Sequence, residues 1–149
     1  MPQALFLIVG RGNMRELLEQ DIARLGLSSK AWLTPYCTDM PRAMNATDCL
    51  VHPQVATEAF PGVVLEAFAC GRPVIASALD GIPEAFATGG FGRLVRPEDV
   101  GELAQAMADQ AGQPPLAPAE REALHRKIAA GFSLPVAGER ILQLYRQLV

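Results

Sequence analysis

The chain has 149 residues, of which 50% are hydrophobic, so one compact domain over residues 1–149 with a single sizeable core is expected. Its formal charge is −3 and its acidic and basic residues are interspersed, which excludes the clustered basic surface of a nucleic-acid-binding protein. No apolar run reaches the roughly 20 residues that cross a bilayer, so any membrane contact is expected to be peripheral.

The first ten residues contain a short apolar run without a basic leader or a small-residue cleavage site. They are typical of a buried strand and not of a signal peptide. The three cysteines are odd in number and lie in apolar segments, as buried free thiols do in reducing compartments: Cys37, Cys49 and Cys70. The sequence therefore predicts a cytoplasmic protein.

Short apolar and β-branched runs alternate with helical patterns along the chain. Near-continuous apolar strands, separated by segments long enough for helices, indicate a parallel sheet covered on both faces. The predicted fold class is α/β, with a doubly wound, Rossmann-like parallel sheet. Its predicted strands are Ala4–Val9, Ala31–Thr34, Cys49–His52, Pro73–Ala76 and Gly92–Val95.

Helical periodicity predicts the covering helices. The first predicted helix ends before Gly26, and its apolar face, which is expected to cover the sheet, consists of Met14, Leu17, Leu18, Ile22 and Leu25. The same pattern recurs over Glu98–Ala111. Two closing helices are expected, one over Ala119–Ala130 that ends at Gly131, and one that runs from its N-cap residue Ser133 to the C-terminus.

The segment Glu58–Glu66 carries the predicted chemistry. It follows the strand that ends at His52 and enters a short helix over about Gly62–Cys70. In open α/β sheets, ligands bind beyond the carboxyl ends of the strands, and the free N–H groups of a helix start suit a phosphate. Pro61-Gly62 fits this use, because glycine lets a ligand approach the backbone and proline is tolerated where no donor is needed.

Two glutamates are expected to flank this phosphate site. Helical side chains lean toward the N-terminus, so the carboxylate of Glu66 is predicted to point back to the crevice that Glu58 borders. Because a carboxylate beside a diphosphate would be repelled, each should accept hydrogen bonds from neutral hydroxyls. A nucleotide sugar offers hydroxyls on both sides of its phosphates, so the layout favours such a ligand.

Three motifs follow one another in the chain: Glu58-x7-Glu66, Ala67–Ile75 and Asp80-Gly-Ile-Pro-Glu84. Together with further matches, they resemble the retaining glycosyltransferases of the GT-B fold, often called glycosyl transferases group 1. The resemblance implies the donor-binding, C-terminal half of an enzyme that transfers a sugar to a glycan or lipid-linked acceptor without a metal cofactor. The further matches are Ile8–Gly12, Phe91–Pro97, and Phe132-Ser133 with Tyr145.

The resemblance also implies a role for each matching residue. Glu58 would contact the donor sugar as the catalytic residue, and Glu66 would hold the ribose hydroxyls. The loop Pro35–Thr38 would approach the base. The remaining donor contacts would come from Phe60, Pro61, Gly62 and Val63 at the sugar and diphosphate, and from Gly10, Arg11 and Gly12 near the nucleotide.

Some parts of the family pattern are absent from this sequence. Family members have a preceding strand and helix with an Arg and a Lys that neutralise the diphosphate, and an N-terminal domain that binds the acceptor. The chain is therefore expected to be a fragment, or one part of a split enzyme, that is inactive alone. Arg11 stands where an acidic or amide residue is common, and one hypothesis is that it supplies part of the missing positive charge.

Other interpretations stay open. The protein could be a nucleotide-sugar epimerase or phosphorylase on the same architecture, or a non-catalytic nucleotide-sugar-binding subunit of a split transferase, and the glutamates could be solvated surface charges. A glycosidase-style carboxylate pair is disfavoured by the adjacent anion site. Gly10-Arg-Gly12 lacks the third glycine of a dinucleotide fingerprint, and two histidines with scattered cysteines predict no metal site.

Several other residues carry simpler expectations. The Asp80-Gly81 turn is either structural or a substrate contact, and His52 ends its strand near the crevice. Arg72 and His125 are expected to face solvent. Trp32 and the phenylalanines are expected to lie in the core.

Overall fold

The computed structural model describes residues 4–35 and 37–148. The chain divides into two compact units, Met1–Ala43 and Met44–Val149. Each unit has a parallel sheet of its own, two-stranded in the first and three-stranded in the second. The α/β class with parallel strands is confirmed, whereas the expectation of one domain over the whole chain stays a prediction.

The first unit consists of β1 (Phe6–Val9), α1 (Arg15–Arg24) and β2 (Ala31–Thr34). The two strands are parallel, with Phe6 opposite Ala31. Gly26 has φ +67°, the left-handed conformation that commonly ends a helix and that glycine adopts without strain. The predicted helix and its glycine stop are therefore found where the periodicity placed them.

The prediction that β1 is a buried strand was wrong, because its side chains are largely exposed. Trp32 was expected in the core and is 46% exposed. Within this unit, two paired strands and a ten-residue helix offer too little surface to bury every apolar side chain. The other exposed apolar residues of these elements are Leu7, Ile8 and Val9 of β1, Leu17 of α1, and Met14 and Leu25 at its ends.

A short helix that the sequence analysis missed, α2 (Met40–Asn45), follows β2. The remaining elements belong to the second unit, whose strands pair in the order β3-β4-β5, all parallel. They are β3 (Leu50–His52), α3 (Gly62–Ala69), β4 (Val74–Ser77), α4 (Ile82–Ala87), β5 (Gly92–Val95), α5 (Val100–Gln110), α6 (Pro118–Phe132) and α7 (Leu134–Gln147).

The core of the second unit surrounds its central strand β4, all four residues of which are buried. From α3, Val64 and Phe68 are 0% exposed, and from α4 Ile82 is 0% exposed. The ring of Phe68 meets that of Phe86 edge to face, with centroids 5.2 Å apart. Each such side chain contributes about 1.5–3 kcal/mol by leaving water, which fixes α3 and α4 against the sheet.

The two closing helices differ in detail from the prediction. α6 continues through Gly131 to Phe132, so the expected glycine stop was wrong. Ser133 is the N-cap residue of α7, but its side chain makes no capping hydrogen bond. The break comes instead from the extended backbone of Ser133 and the proline in the first turn of α7. Across the part of the chain that the structure describes, no helix is long and apolar enough to cross a membrane.

Candidate functional site

The loop between β3 and α3 carries most of the residues that the sequence singles out. It runs from His52 to Pro61 at the carboxyl end of β3. Because β3 and β4 are parallel, the loop after β4, with Asp80 and Gly81, leaves the sheet at the same edge. This edge is where ligands bind in open α/β sheets.

The start of α3 has no side-chain cap among the described residues. Pro61 is its N-cap residue, buried and with an extended backbone of φ −78° and ψ 105°. The first N–H groups of a helix have no acceptor within the helix and carry its positive dipole end. An uncapped start at the edge of the sheet is therefore suited to an anionic ligand.

Gly62, the first residue of α3, faces open space. Apart from its chain neighbours and the backbone of its own helix, a Cβ added to it would meet no described atom within 4 Å, and the residue is exposed. The packing of the protein therefore does not require glycine here. A bound group that approaches the backbone closely would require it.

Glu58 is half-buried and is held through its backbone by the turn after β4. Its N–H donates to Oδ2 of Asp80 at 3.2 Å, and its carbonyl accepts from the N–H of Gly81 at 3.2 Å. A Cβ on Gly81 would overlap the carbonyl oxygen of Ala59. The Asp80-Gly81 turn therefore has a structural contact with Glu58, which the sequence left open.

His52, at the end of β3, interacts electrostatically with the Glu58 carboxylate. Burial lowers the pKa of His52 below its ordinary 6.5, and the Glu58 carboxylate opposes part of that shift. Its Nε2 atom is buried and has no hydrogen-bond partner among the described residues. The ring is therefore neutral near pH 7, with one nitrogen unsatisfied.

Phe60 stacks on Phe132, the last residue of α6. The ring centroids are 5.7 Å apart and the planes are inclined by 25°. Both residues are 39% exposed, so the prediction that all phenylalanines are core residues was wrong for this pair. The stack shields one face of each ring without burying either residue, and it links α6 to the residue before Pro61.

The other predicted site residues are distributed between the two units. On α3, Val63 is half-buried and Glu66 is exposed, one turn from the helix start. In the first unit, Gly10, Arg11 and Gly12 are exposed and line a cavity of about 460 Å³ with apolar residues such as Leu18 and Leu33. Tyr36, in the loop expected near the base, lies outside the described residues. All the predicted donor contacts stay predictions.

The carboxyl end of α3 has partners that sequence reasoning missed. Nη2 of Arg121 donates to the Cys70 carbonyl at 3.3 Å, and Nδ1 of His125 lies 3.0 Å from the Ala69 carbonyl. Nη2 of Arg72 donates to the Asn45 carbonyl at 2.9 Å. The last carbonyls of a helix have no partner within the helix, so the contacts of Arg121 and His125 hold the carboxyl end of α3, while Arg72 joins the residues after α3 to the end of α2.

The solvent positions predicted for Arg72 and His125 therefore need correction. Arg72 is half-buried and hydrogen-bonded, so that prediction was wrong. His125 is exposed as expected, but its ring contacts the end of α3. Both contacts join residues far apart in the chain, 27 positions for Arg72 and 56 for His125, and no local pattern indicates them.

Burial makes two of the three cysteines, Cys49 and Cys70, unsuited to act as nucleophiles. All three are free and half-buried, and burial raises the pKa of the Cys49 thiol to about 11 and also raises that of Cys70. Thiols need a lowered pKa to act as nucleophiles near neutral pH. Among residues 4–35 and 37–148, no group of three or more His, Cys, Asp or Glu is placed to hold a metal ion.

Known proteins resemble this chain over most of its length. The family model described as glycosyl transferases group 1 matches residues 1–111. A 2-deoxystreptamine N-acetyl-D-glucosaminyltransferase from Streptomyces fradiae is 32% identical over 157 residues, which cover 99% of this chain and 35% of that protein. The chain thus spans about a third of the length of that curated relative.

Two solved structures have the same fold. HepE from Anabaena, in complex with UDP-glucose, superposes with a TM-score of 0.79 at 25% identity, over 99% of this chain and 42% of that one. Sucrose-phosphate synthase from Thermosynechococcus elongatus superposes with a TM-score of 0.80 at 29% identity, over 99% of this chain and 39% of that one.

Proposed function

Because the chain belongs to the glycosyl transferases group 1 family and has its GT-B-type α/β fold, we propose that it binds the sugar donor of a transferase. The donor is a nucleotide-diphosphate sugar, and the sugar passes to a glycan or lipid-linked acceptor with retention of configuration. The UDP-glucose complex of HepE supports a donor of this class. The free, half-buried cysteines suit the reducing cytoplasm.

The observation that carries this proposal is the open, uncapped start of α3 at Gly62. The diphosphate binds there, because backbone N–H groups and the helix dipole favour an anion. Phe60, Pro61 and Val63 contribute backbone contacts on either side of Gly62. When the bond to the sugar breaks, negative charge gathers on the leaving diphosphate, and preorganised amides stabilise it.

The two glutamates hold the neutral parts of the donor. Glu58 contacts the sugar, and its backbone is already fixed by the turn at Asp80. Glu66, exposed on α3, accepts hydrogen bonds from the ribose hydroxyls. No metal takes part in this proposal, so the positive charge opposite the diphosphate comes from the protein.

Calorimetric titration of the chain with UDP-glucose, GDP-mannose and ADP-glucose tests donor binding. We expect one of them to bind, and Glu66→Ala to weaken it about tenfold, the size of one or two lost hydrogen bonds. Glu122→Ala is the matched control, since Glu122 is also an exposed helical glutamate and pairs with Arg126 on the same helix. Absence of binding by all three sugars would contradict the proposal.

Transfer is a separate expectation. In the family pattern the acceptor is bound by another domain, so we propose that these 149 residues bind donor without transferring it. Incubation with radiolabelled donor and a panel of glycan and lipid-linked acceptors should give no labelled product, and detectable transfer would refute this expectation. For Arg11, we propose that Arg11→Ala weakens nucleotide binding, and unchanged affinity would contradict a role of Arg11 in binding.

A further inference from the structure

We propose that Asp80 is a positioning residue for Glu58, and that through it the turn after β4 makes the site prefer a nucleotide sugar over the free nucleotide. This inference rests on the proposed function, because it assigns the contact with the donor sugar to Glu58. Asp80 itself acts through the loop backbone and has no assigned contact with the ligand.

The geometry fixes the backbone of Glu58 on both sides. Its N–H donates to the Asp80 carboxylate and its carbonyl accepts from the Gly81 N–H, each at 3.2 Å. Two hydrogen bonds of opposite polarity from adjacent residues define the orientation of both peptide groups that flank Glu58. The direction in which its side chain leaves the loop is therefore set by a turn 22 residues later in the sequence.

The turn is shaped for this contact. Asp80 has φ +45°, a left-handed conformation that asparagine and aspartate tolerate better than other non-glycine residues. Gly81 is buried against Ala59, whose carbonyl oxygen occupies the place of a Cβ. Asp80 thus has a residue type that tolerates the turn conformation, and Gly81 has no room for a side chain, so the turn can lie against the loop.

The turn is also anchored to the core. It leads directly into α4, where Ile82 and Ala85 are 0% exposed. The loop it holds is mostly exposed, so the turn fixes the loop to a rigid element. A group that must meet a ligand with little reorganisation benefits from such support.

The consequence separates two parts of the ligand. The diphosphate is assigned to the start of α3, whereas the sugar is assigned to Glu58. Loosening the contact with Asp80 should therefore reduce affinity for a nucleotide sugar and leave the affinity for the nucleoside diphosphate unchanged. A purely structural role of Asp80 would reduce both affinities together.

Three substitutions at one position test this inference, each titrated with UDP and UDP-glucose. Asp80→Asn keeps an acceptor oxygen and tolerates φ +45°, so it should bind both ligands as the wild type does. Asp80→Gly keeps the conformation and removes the acceptor, and Asp80→Ala removes both. These two should bind UDP normally and UDP-glucose about tenfold more weakly.

GDP with GDP-mannose and ADP with ADP-glucose serve in parallel if the wild type prefers another base. If Asp80→Gly binds UDP-glucose as tightly as the wild type does, the inference is overturned, while the proposed donor binding stands. Equal loss of UDP and UDP-glucose by all three variants would also overturn it. If the wild type itself binds no nucleotide sugar, the proposed function fails. Failure of the function is therefore seen in the wild type, whereas failure of the inference alone is seen only in the Asp80 variants.

Discussion

Phe60 and Phe132 stack with their ring centroids 5.7 Å apart, although they lie 72 positions apart in the sequence. Phe60 precedes Pro61, the N-cap residue of α3, and Phe132 ends α6. The stack therefore links the closing helices to the loop that holds the candidate site. Its rings stay partly exposed, so its stabilisation comes from ring contact as well as from burial.

A double-mutant cycle with Phe60→Ala and Phe132→Ala should measure this contact. We expect the two rings to couple by about 1 kcal/mol in the free energy of unfolding, the usual value for an aromatic pair. Urea unfolding of the wild type, both single variants and the double variant provides the four values. Strictly additive effects would show that the stack contributes no stability.

Gly81→Ala should destabilise the protein and weaken ligand binding, although Gly81 has no assigned contact with the ligand. The added methyl group overlaps the Ala59 carbonyl, so either the loop or the turn must move. We expect a loss of about 1–3 kcal/mol in the free energy of unfolding, as for other overpacked positions, together with weaker binding of UDP-glucose.

Gly138→Ala is the matched control for Gly81→Ala. Gly138 lies within α7, and apart from its chain neighbours and the backbone of its own helix a Cβ there would meet no described atom within 4 Å. Alanine in a helix interior is favoured over glycine, so the control should keep or gain up to about 1 kcal/mol of stability. Equal stability of the Gly81 and Gly138 variants would show that the turn and the loop are not in close contact.

The sequence predicts the fold well where the signals are local. Ala31–Thr34 and Gly92–Val95 are strands with the predicted bounds, and α3 begins at the predicted Gly62. Apolar runs and turn residues determine these elements through contacts within a few residues. The burial of β1 could not be predicted in the same way, because it depends on how much surface its neighbours offer.

The candidate site, like the fold, has features that local sequence predicts and features that it does not. The helix start and the two glutamates can be found from spacing, because strand, loop and helix follow one another directly. The contact of Glu58 with Asp80, and of Arg121 with the end of α3, joins residues 22 and 51 positions apart. Such contacts depend on packing between elements, which residue type alone does not encode.

His52 should make the stability of the protein depend on pH. Its folded pKa is lowered below the ordinary 6.5, so the unfolded state binds more protons as the pH falls through 6.5. The free energy of unfolding should therefore decrease from about pH 7.5 to about pH 5.5, and His52→Gln should remove this component.

His125→Gln is the control for the effect of pH, because it removes the only other histidine. Urea unfolding at both pH values should show a smaller pH effect for the His52 variant than for the wild type and the His125 variant. The same pH dependence in all three proteins would mean that the pKa of His52 is not lowered by folding.

The central claim, that the start of α3 binds the diphosphate of a nucleotide sugar, is tested most directly at Gly62. Because a Cβ at this position would meet no described atom within 4 Å apart from its chain neighbours and its own helix backbone, Gly62→Ala should fold with unchanged stability. Titration of ¹⁵N-labelled wild type with UDP-glucose, GDP-mannose and ADP-glucose should shift the amides of residues 62–66 with at least one of them, and Gly62→Ala should bind that ligand at least about tenfold more weakly. Unshifted amides with all three, or wild-type affinity in Gly62→Ala, would contradict the claim.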